Sequence, residues 1–175
     1  MNEALLLVDV LNDFRHEDGD ALLASFRERH DALAAELGRA RGSLPVVYAN
    51  DDWGRWDANA PGLVRSAVEE GRGGELVAAI APRERDRIVL KPRYSAFDST
   101  PLEILLRQLE VEHLRLAGMA TEMCVTQTAI AARELGFKVT VLPDACACVD
   151  ARLERIALEY LRDVVGVRLD AGGEA

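Results

Sequence analysis

Short apolar runs alternate along the chain with segments in which apolar residues recur at helical spacing. The first run, Ala4 to Val8, is continuously apolar and ends in Asp9. Such a run predicts a strand that is buried on both faces of a sheet. Further strands are predicted for similar runs at residues 45–49, 87–90, 113–117, 137–142 and 164–169.

Helices are predicted between these runs. The longest, Asp20 to Arg41, has one apolar face formed by Leu22, Phe26, His30, Leu33 and Leu37. Further helices are predicted at residues 63–70, 75–80, 101–109, 126–135 and 152–162. The third of these has Thr100 as its predicted cap, with Glu103 closing a capping box. Strands that alternate with helices indicate a parallel sheet covered on both faces, which is a three-layer α/β fold.

Length and composition indicate one globular domain over residues 1–175, since 49% of the residues are hydrophobic and the chain is long enough for a sizeable core. The net charge of -9 argues against nucleic acid or an anionic membrane as a partner. No apolar run approaches membrane-spanning length, and the N-terminus carries no basic segment. An odd number of cysteines favours a reducing compartment. These features predict a cytoplasmic protein with a small-molecule partner.

A cysteine lies in the predicted turn between the fourth strand and the next helix, within Gly118–Val125. Thr121 can cap that helix, which puts Cys124 near its third position. Amide N–H groups at a helix start are unpaired and the helix dipole there is positive, so this position favours a thiolate. Cys124 is therefore a candidate nucleophile, although a lone cysteine is more often a small buried apolar residue.

Two further chemical groups are expected at the same edge of the sheet. Asp9 ends the first strand and Lys91 ends the third, and ligands of open α/β sheets bind beyond the carboxyl ends of the strands. Asp9 can take the proton of the Cys124 thiol, Lys91 can stabilise the thiolate, and N–H groups of the turn can accept an oxyanion. Taken singly, Asp9 could cap a turn and Lys91 could be a solvated strand end. Their joint placement favours a catalytic site.

Three segments carry a resemblance to a known superfamily. They are Leu6–Phe14 (LLVDVLNDF), Lys91–Phe97 (KPRYSAF) and Gly118–Val125 (GMATEMCV). In this order they resemble the isochorismatase-like cysteine hydrolases, a superfamily that includes nicotinamidases and N-carbamoylsarcosine amidases. The resemblance spans nearly the whole chain, and it implies a six-stranded parallel sheet with the strand order 3-2-1-4-5-6.

The resemblance also implies roles for individual residues. Asp9 matches the general base of the superfamily, Lys91 its lysine and Cys124 its nucleophile. Ala120 matches the residue that follows a cis peptide bond, and the N–H groups of Ala120 and Cys124 would form the oxyanion hole. The resemblance suggests subunits that pair, so we expect a homo-oligomer, either a dimer or a tetramer. No cofactor is expected.

The segment after the second strand differs from that of metal-dependent nicotinamidases, which carry an aspartate and histidines there. Here the segment Asn50–Trp56 contains no histidine, which weakens a nicotinamidase assignment. Asp51 and Asp52 could hold a hard cation, but a solvated acidic loop is favoured, and no metal site is predicted. True isochorismatases lack the nucleophilic cysteine, so Cys124 argues against their vinyl-ether chemistry.

Aromatic side chains are the candidates for lining a substrate pocket. Phe14 lies just after the first strand, and Trp53, Trp56 and Tyr94 lie in loops at the same sheet edge. Aromatic walls suit a small planar or apolar amide. The alternative is that the two tryptophans cover the core or a subunit contact.

The sequence therefore predicts a cysteine hydrolase that cleaves a small amide or carbamoyl-type C–N bond through a thioester intermediate. Two alternatives stay open. One is a non-catalytic member of the fold that binds a small ligand, and the other is a hydrolase acting on a small molecule that is not an amide. A dinucleotide-binding domain is rejected because no glycine-rich loop follows the first strand.

Overall fold

A computed structural model describes residues 2–172 and shows one parallel sheet with helices on both faces. The strands are β1 (Glu3–Val8), β2 (Val46–Asp51), β3 (Arg87–Lys91), β4 (His113–Met119), β5 (Lys138–Ala147) and β6 (Arg168–Leu169). Their order in the sheet is β3-β2-β1-β4-β5-β6, and every neighbouring pair is parallel. The strand order and the three-layer fold that the sequence predicted are thus confirmed.

The helices cross over between these strands. They are α1 (Gly19–Arg41), α2 (Ala60–Arg65), α3 (Gly74–Ala79), α4 (Leu102–Gln108), α5 (Thr126–Glu134) and α6 (Ala151–Tyr160). Single π-helical turns lie at Ser66–Glu70, Thr121–Val125 and Leu161–Val165. Within residues 2–172, no helix has both the length and the apolar character needed to cross a membrane.

The central strand β1 is buried on both faces, as its continuous apolar run predicted. Leu5 and Leu7 are fully buried in one apolar cluster, together with Phe26 and other residues of α1. Leu6 and Val8 are fully buried in a second cluster, which includes residues of α4 and α5. Alternate side chains of a strand point to opposite faces, so β1 joins the two cores of the molecule.

The last two strands differ from the prediction in length. Strand β5 continues to Ala147, so Cys146 lies inside the strand and does not follow it. Strand β6 is short because Val164 and Val165, expected in the strand, belong to the π-helical turn that continues α6. Gly166 then ends the helix in the left-handed conformation, with φ 75. A β-branched pair at the end of an amphipathic helix was misread as the start of a strand.

Two predicted helix caps are also wrong in detail. The Thr121 hydroxyl does not cap a helix; its oxygen lies 3.1 Å from the carbonyl oxygen of Ala147 and 2.8 Å from Glu154 Oε1, and its single O–H can donate to either. Helix α4 begins one residue later than predicted, and Thr100 Oγ1 accepts from the N–H of Leu102. The side chain of Glu103 pairs with Arg107 along the helix and closes no capping box.

Candidate active site

The topology brings Asp9, Lys91 and Cys124 to one edge of the sheet. The order of the strands reverses between β1 and β4, which are neighbours, and this is the position at which open α/β sheets form a crevice. Asp9 follows β1, Lys91 is the last residue of β3, and Cys124 lies in the π-helical turn after β4.

Lys91 connects the other two groups. Its Nζ lies 2.8 Å from Asp9 Oδ2 and 3.6 Å from Cys124 Sγ, and it donates to the carbonyl of Arg93 at 3.0 Å. The Lys91 side chain is fully buried. An ammonium group has three N–H donors, so these three contacts fix its position completely.

The Asp9 carboxylate is held at both oxygens. Oδ1 accepts the backbone N–H of Asp51 at the end of β2, at 2.7 Å, and Oδ2 contacts Lys91. The backbone of Asp9 has φ 53, in the left-handed region that few residues other than glycine adopt. This conformation turns the chain sharply as it leaves the buried strand, and the N–H of Asp9 still donates to Ala49 at 2.9 Å.

Burial and neighbouring charges set the protonation of the three groups. Burial raises the pKa of Asp9, and Lys91 opposes that effect without cancelling it. Burial and the charge of Asp9 raise the pKa of the Cys124 thiol far above its usual range, against the opposing effect of Lys91. Burial acts to lower the pKa of Lys91, but the charges of Asp9 and Cys124 outweigh burial and the pKa is raised.

The resting state of the cysteine therefore differs from the expectation. The sequence favoured a thiolate, because Cys124 lies at a helix start. In the structure, burial and the negative charge of Asp9 raise the pKa of the Cys124 thiol, which favours the thiol over the thiolate. These two effects outweigh the opposing effect of Lys91.

The turn that carries Cys124 is shaped by a glycine and held by side chains. Gly118 has φ 126, and a Cβ on it would lie 2.1 Å from the carbonyl oxygen of Val8 on the neighbouring strand. The peptide bond between Met119 and Ala120 is cis. Glu122 accepts the N–H groups of Val149 and Asp150 at 2.8 and 3.0 Å, which ties the turn to the segment after β5.

A cleft of about 160 Å³ opens next to Cys124. Of the predicted substrate-binding residues, Trp53 and Tyr94 line it. Ala120 and Cys124 lie in its wall as well. The full lining consists of Asp9, Asn12, His16, Asp18, Leu22, Asp51, Trp53, Tyr94, Met119, Ala120, Met123, Cys124 and Val149.

Phe14 and Trp56 were expected beside the same cleft, and the structure places both elsewhere. The Phe14 ring is fully buried in the core, 5.5 Å from the ring of Phe26. Its backbone has φ 57, which turns the side chain inward after the loop has left β1. Trp56 is fully exposed at the tip of its loop, outside the lining of the cleft.

Asn12, His16 and Asp18 also line the cleft, although the sequence did not predict them as site residues. All three lie in the loop between β1 and α1, and the side chain of Asn50 holds that loop to β2. Its amide group accepts the N–H of Leu11 at 3.1 Å and donates to the Leu11 carbonyl at 2.9 Å. The one indication in the sequence was the position of these residues, since their loop follows the carboxyl end of the central strand.

Asp51, the last residue of β2, and Asp52 both stabilise the loop that follows the strand. Asp51 Oδ1 accepts the N–H of Trp53 at 2.6 Å, and Asp52 Oδ1 accepts the N–H of Gly54 at 2.8 Å. Asp51 Oδ2 lies 3.9 Å from Lys91 Nζ. These bonds give both carboxylates a structural role in the loop that carries Trp53.

The other two cysteines lie outside the cleft. Cys146 is fully buried, and burial raises the pKa of its thiol to about 12. Cys148 is buried as well, and its sulfur lies 3.6 Å from the hydroxyl of Ser25. Both thiols are free, as is that of Cys124.

Comparison with known proteins identifies the family of the chain. The family model for the isochorismatase domain matches residues 3–171. The chain belongs to the isochorismatase family. A curated relative, the isochorismatase family protein YaaI of Bacillus subtilis, is 30% identical over 94% of this chain and 91% of its own length.

Two further members of the family have a named activity. Ureidoacrylate amidohydrolase RutB of Klebsiella pneumoniae is 32% identical over 81% of this chain and 72% of its own length. The crystal structure of nicotinamidase/pyrazinamidase PncA from Bacillus subtilis superposes with a TM-score of 0.77 and 27% identity, over 97% of this chain and 99% of that one.

Proposed function

We propose that the protein is a cysteine hydrolase that cleaves a small amide or carbamoyl-type C–N bond through a thioester on Cys124. The observation that carries this proposal is the position of Lys91 Nζ, 2.8 Å from the carboxylate of Asp9 and 3.6 Å from the sulfur of Cys124. A base and a nucleophile thus lie in the wall of one cleft with a cation directly behind them, an arrangement that suits nucleophilic catalysis.

The first half of the reaction acylates the cysteine. Asp9 accepts the thiol proton as Cys124 Sγ bonds to the carbonyl carbon, and the electron pair of the C=O bond moves to the oxygen. The N–H groups of Ala120 and Cys124 stabilise that oxyanion. The intermediate then expels the nitrogen group, which takes the proton from Asp9 and leaves as ammonia or an amine.

The second half releases the acid. A water molecule gives a proton to Asp9 and attacks the thioester carbon, and the same N–H groups stabilise the second oxyanion. The C–S bond breaks, the carboxylic acid product leaves, and the sulfur regains its proton from Asp9. A carboxylate with a raised pKa suits this cycle, because Asp9 must both accept and return a proton.

Lys91 balances the charges along this path. The resting site holds one ammonium and one carboxylate, and proton transfer from the thiol replaces the carboxylate charge with a thiolate charge. Because Lys91 contacts both atoms, its charge stays close to the negative charge throughout. The amidohydrolase and nicotinamidase relatives support a C–N bond as the target, and the small cleft supports a small substrate.

The test is release of ammonia from a panel of primary amides, carbamoyl compounds and ureides, with esters included for the non-amide alternative. We expect turnover of at least one amide and an acyl adduct on Cys124 by mass spectrometry. Cys124→Ala is expected to abolish both, while Cys146→Ala, which removes a buried thiol outside the cleft, keeps both. Full activity in Cys124→Ala would overturn the mechanism.

One observation favours a second candidate, a non-catalytic protein that binds a small ligand in the cleft. Burial and the charge of Asp9 raise the pKa of the Cys124 thiol, and a raised pKa is also typical of a buried cysteine without catalytic function. The two candidates differ in turnover, since the binding protein would release no product from any compound it binds. The proposed reaction needs a reduced Cys124, which fits the cytoplasmic location predicted above.

A further inference from the structure

The charges around the cleft are unbalanced. Among the residues that the structure describes, its lining contains the carboxylates of Asp9, Asp18 and Asp51 but no lysine or arginine side chain. Lys91 lies behind the wall and is already bound to Asp9 and Cys124. A negative group on a substrate would therefore meet carboxylates and find no free cation.

Arginines in the loops that carry Trp53 and Tyr94 are paired with other groups. Arg93 pairs with Asp98 at 3.4 Å, and Arg55 pairs with Asp57 at 3.3 Å. Both side chains are mostly exposed and lie outside the lining of the cleft. Neither is positioned to neutralise a carboxylate in the cleft.

His16 adds a second, independent feature to the same wall. Its Nε2 is shielded from solvent and has no hydrogen-bond partner among the described residues. Its ring lies 5.8 Å from the ring of Trp53, which also lines the cleft. Buried polar atoms in folded proteins almost always have a partner, and rotation of the His16 ring toward an N–H group in the cleft would give Nε2 the partner it lacks.

We propose that the far end of the substrate is neutral or cationic and carries N–H groups, and that the cleft rejects amides bearing a carboxylate. Asp18 supplies the charge preference, and His16 accepts an N–H of the substrate in the tautomer that leaves Nε2 unprotonated. This substrate class rests on the proposed function. It also predicts that ureidoacrylate, the substrate named for RutB, is a poor substrate here because it contains a carboxylate.

The test uses alkylating probes and needs no known substrate. Iodoacetamide is neutral and carries an N–H group, whereas iodoacetate has nearly the same shape and a negative charge. We expect the ratio of iodoacetate to iodoacetamide rates at Cys124, mapped by peptide mass, to be roughly tenfold or more below the ratio for N-acetylcysteinamide, a neutral free thiol.

Variants assign the effect to particular side chains. Asp18→Asn should raise the rate ratio several-fold, while Glu17→Gln, an equal charge change on an exposed neighbour outside the cleft, should leave it unchanged. His16→Phe keeps a ring against Trp53 but removes Nε2, so it should slow iodoacetamide more than iodoacetate.

A rate ratio equal to that of the free thiol would overturn this inference, as would an equal response to Glu17→Gln and Asp18→Asn. Alkylation proceeds whether or not any amide is hydrolysed. Failure of the charge preference is therefore seen separately from failure of the proposed function, which appears as absence of turnover and of an adduct.

A different observation supports a second inference, on α6. The outer face of this helix and its π-helical extension carries four large apolar side chains that are 41% to 67% exposed. They are Leu153, Ile156, Tyr160 and Val164, and we call them the α6 stripe. Their spacing places them on one side of the helix. The inner side of α6 contacts the protein through Glu154, which binds Arg29 and Thr121.

The charges beside the α6 stripe complement each other across a two-fold axis. Arg152 flanks one end of the stripe and Asp163 flanks the other, on the same side at helical spacing. When two copies pair their stripes in antiparallel fashion, Arg152 of one copy faces Asp163 of the second. This order of charges is opposite to the one that a helix dipole favours. Asp163 also pairs with the neighbouring Arg162 at 2.6 Å, and an exposed pair of this kind contributes little to stability and can be exchanged for a pair across the two-fold axis.

We infer that the α6 stripe is the surface through which two copies of this chain associate. Light scattering after size exclusion should show a dimer at micromolar concentration. Ile156→Glu should give a monomer, whereas Ile104→Glu, at an isoleucine of α4 that is 63% exposed against 48% for Ile156, should not. Reversal of either charge, Arg152→Glu or Asp163→Arg, should weaken the dimer and the double reversal should restore it. A monomeric wild type, or a double reversal as weak as either single one, would overturn the inference.

Discussion

The ammonium of Lys91 lies between the Asp9 carboxylate, at 2.8 Å, and the Cys124 sulfur, at 3.6 Å, and it is fully shielded from solvent. Transfer of a charge from water to the protein interior is unfavourable unless a group of opposite charge compensates for the lost hydration. Water therefore screens the charges of Lys91 and Asp9 very little at the place where a substrate carbonyl would react. The pKa values of Asp9, Lys91 and Cys124 depend on one another.

The pH dependence of the reaction should report Asp9. The base acts in its deprotonated form, so kcat/KM falls as the pH drops through the pKa of Asp9. Because burial raises that pKa, we expect the acid limb of the pH profile at a pH clearly above about 3.9, the ordinary value for aspartate. The raised pKa of Lys91 predicts no loss of its charge below about pH 10. An acid limb at the ordinary carboxyl value would contradict the assignment of Asp9.

Replacement of Lys91 should separate its charge from its packing. Lys91→Met keeps a long apolar stem, and we expect kcat/KM to fall by roughly 10³-fold because the developing negative charge loses its cation. The acid limb should also move to higher pH, since Lys91 lowers the pKa of Asp9. The chain has one other lysine, Lys138, which is exposed at the start of β5. Lys138→Met is the control, and a loss as large as that of Lys91→Met would count against a local role.

The two tryptophans of the loop after β2 should differ in their effect on substrate binding. Trp53 lines the cleft and Trp56 is fully exposed outside it. Trp53→Ala should raise KM by roughly tenfold with a smaller change in kcat, because it removes an aromatic wall. Trp56→Ala should leave both constants near wild type. Steady-state kinetics with the best amide substrate of the panel measures both constants. Equal changes in KM for Trp53→Ala and Trp56→Ala would contradict the placement of Trp53 in the wall of the cleft.

Gly118 should tolerate no side chain. A Cβ there would lie 2.1 Å from the Val8 carbonyl oxygen, and the backbone has φ 126. We expect Gly118→Ala to lower the free energy of unfolding by about 2 kcal/mol or more, measured by denaturant titration. Gly38→Ala is the matched control, because that glycine is exposed in α1 with open space around it. It should be neutral or stabilising by roughly 0.5–1 kcal/mol, and a stable Gly118→Ala would contradict the close strand approach.

The sheet and the residues at strand ends were predictable because they depend on periodicity and on topology. The run from Ala4 to Val8 can be buried only as a central strand, and parallel strands end at a common edge. The juxtaposition of Asp9, Lys91 and Cys124 followed from those two facts. The end of α6 was misread because an apolar β-branched pair has the same composition in a strand and on an exposed helix face.

Features that depend on loop paths and on three-dimensional burial were not predictable. Phe14 turns into the core and His16 faces the cleft, although both lie in one loop, because backbone dihedral angles decide the direction of each side chain. The thiolate expected at Cys124 followed from its place at a helix start. The burial and the neighbouring charge that raise its pKa appear only when the chain has folded around it.

The side-chain amide of Asn50 binds both the N–H and the carbonyl of Leu11. It thus adds two hydrogen bonds between the chain after β1 and strand β2, beyond the last backbone pair of these strands. It extends the rigid part of the sheet past Asp9 and into the loop that carries His16 and Asp18. We therefore expect that side chains on that loop can be exchanged without moving the carboxylate of Asp9. Under the proposed function, substitutions at His16 and Asp18 would change the substrate preference while Asp9, Lys91 and Cys124 stay in place, so that the two properties can be inherited separately.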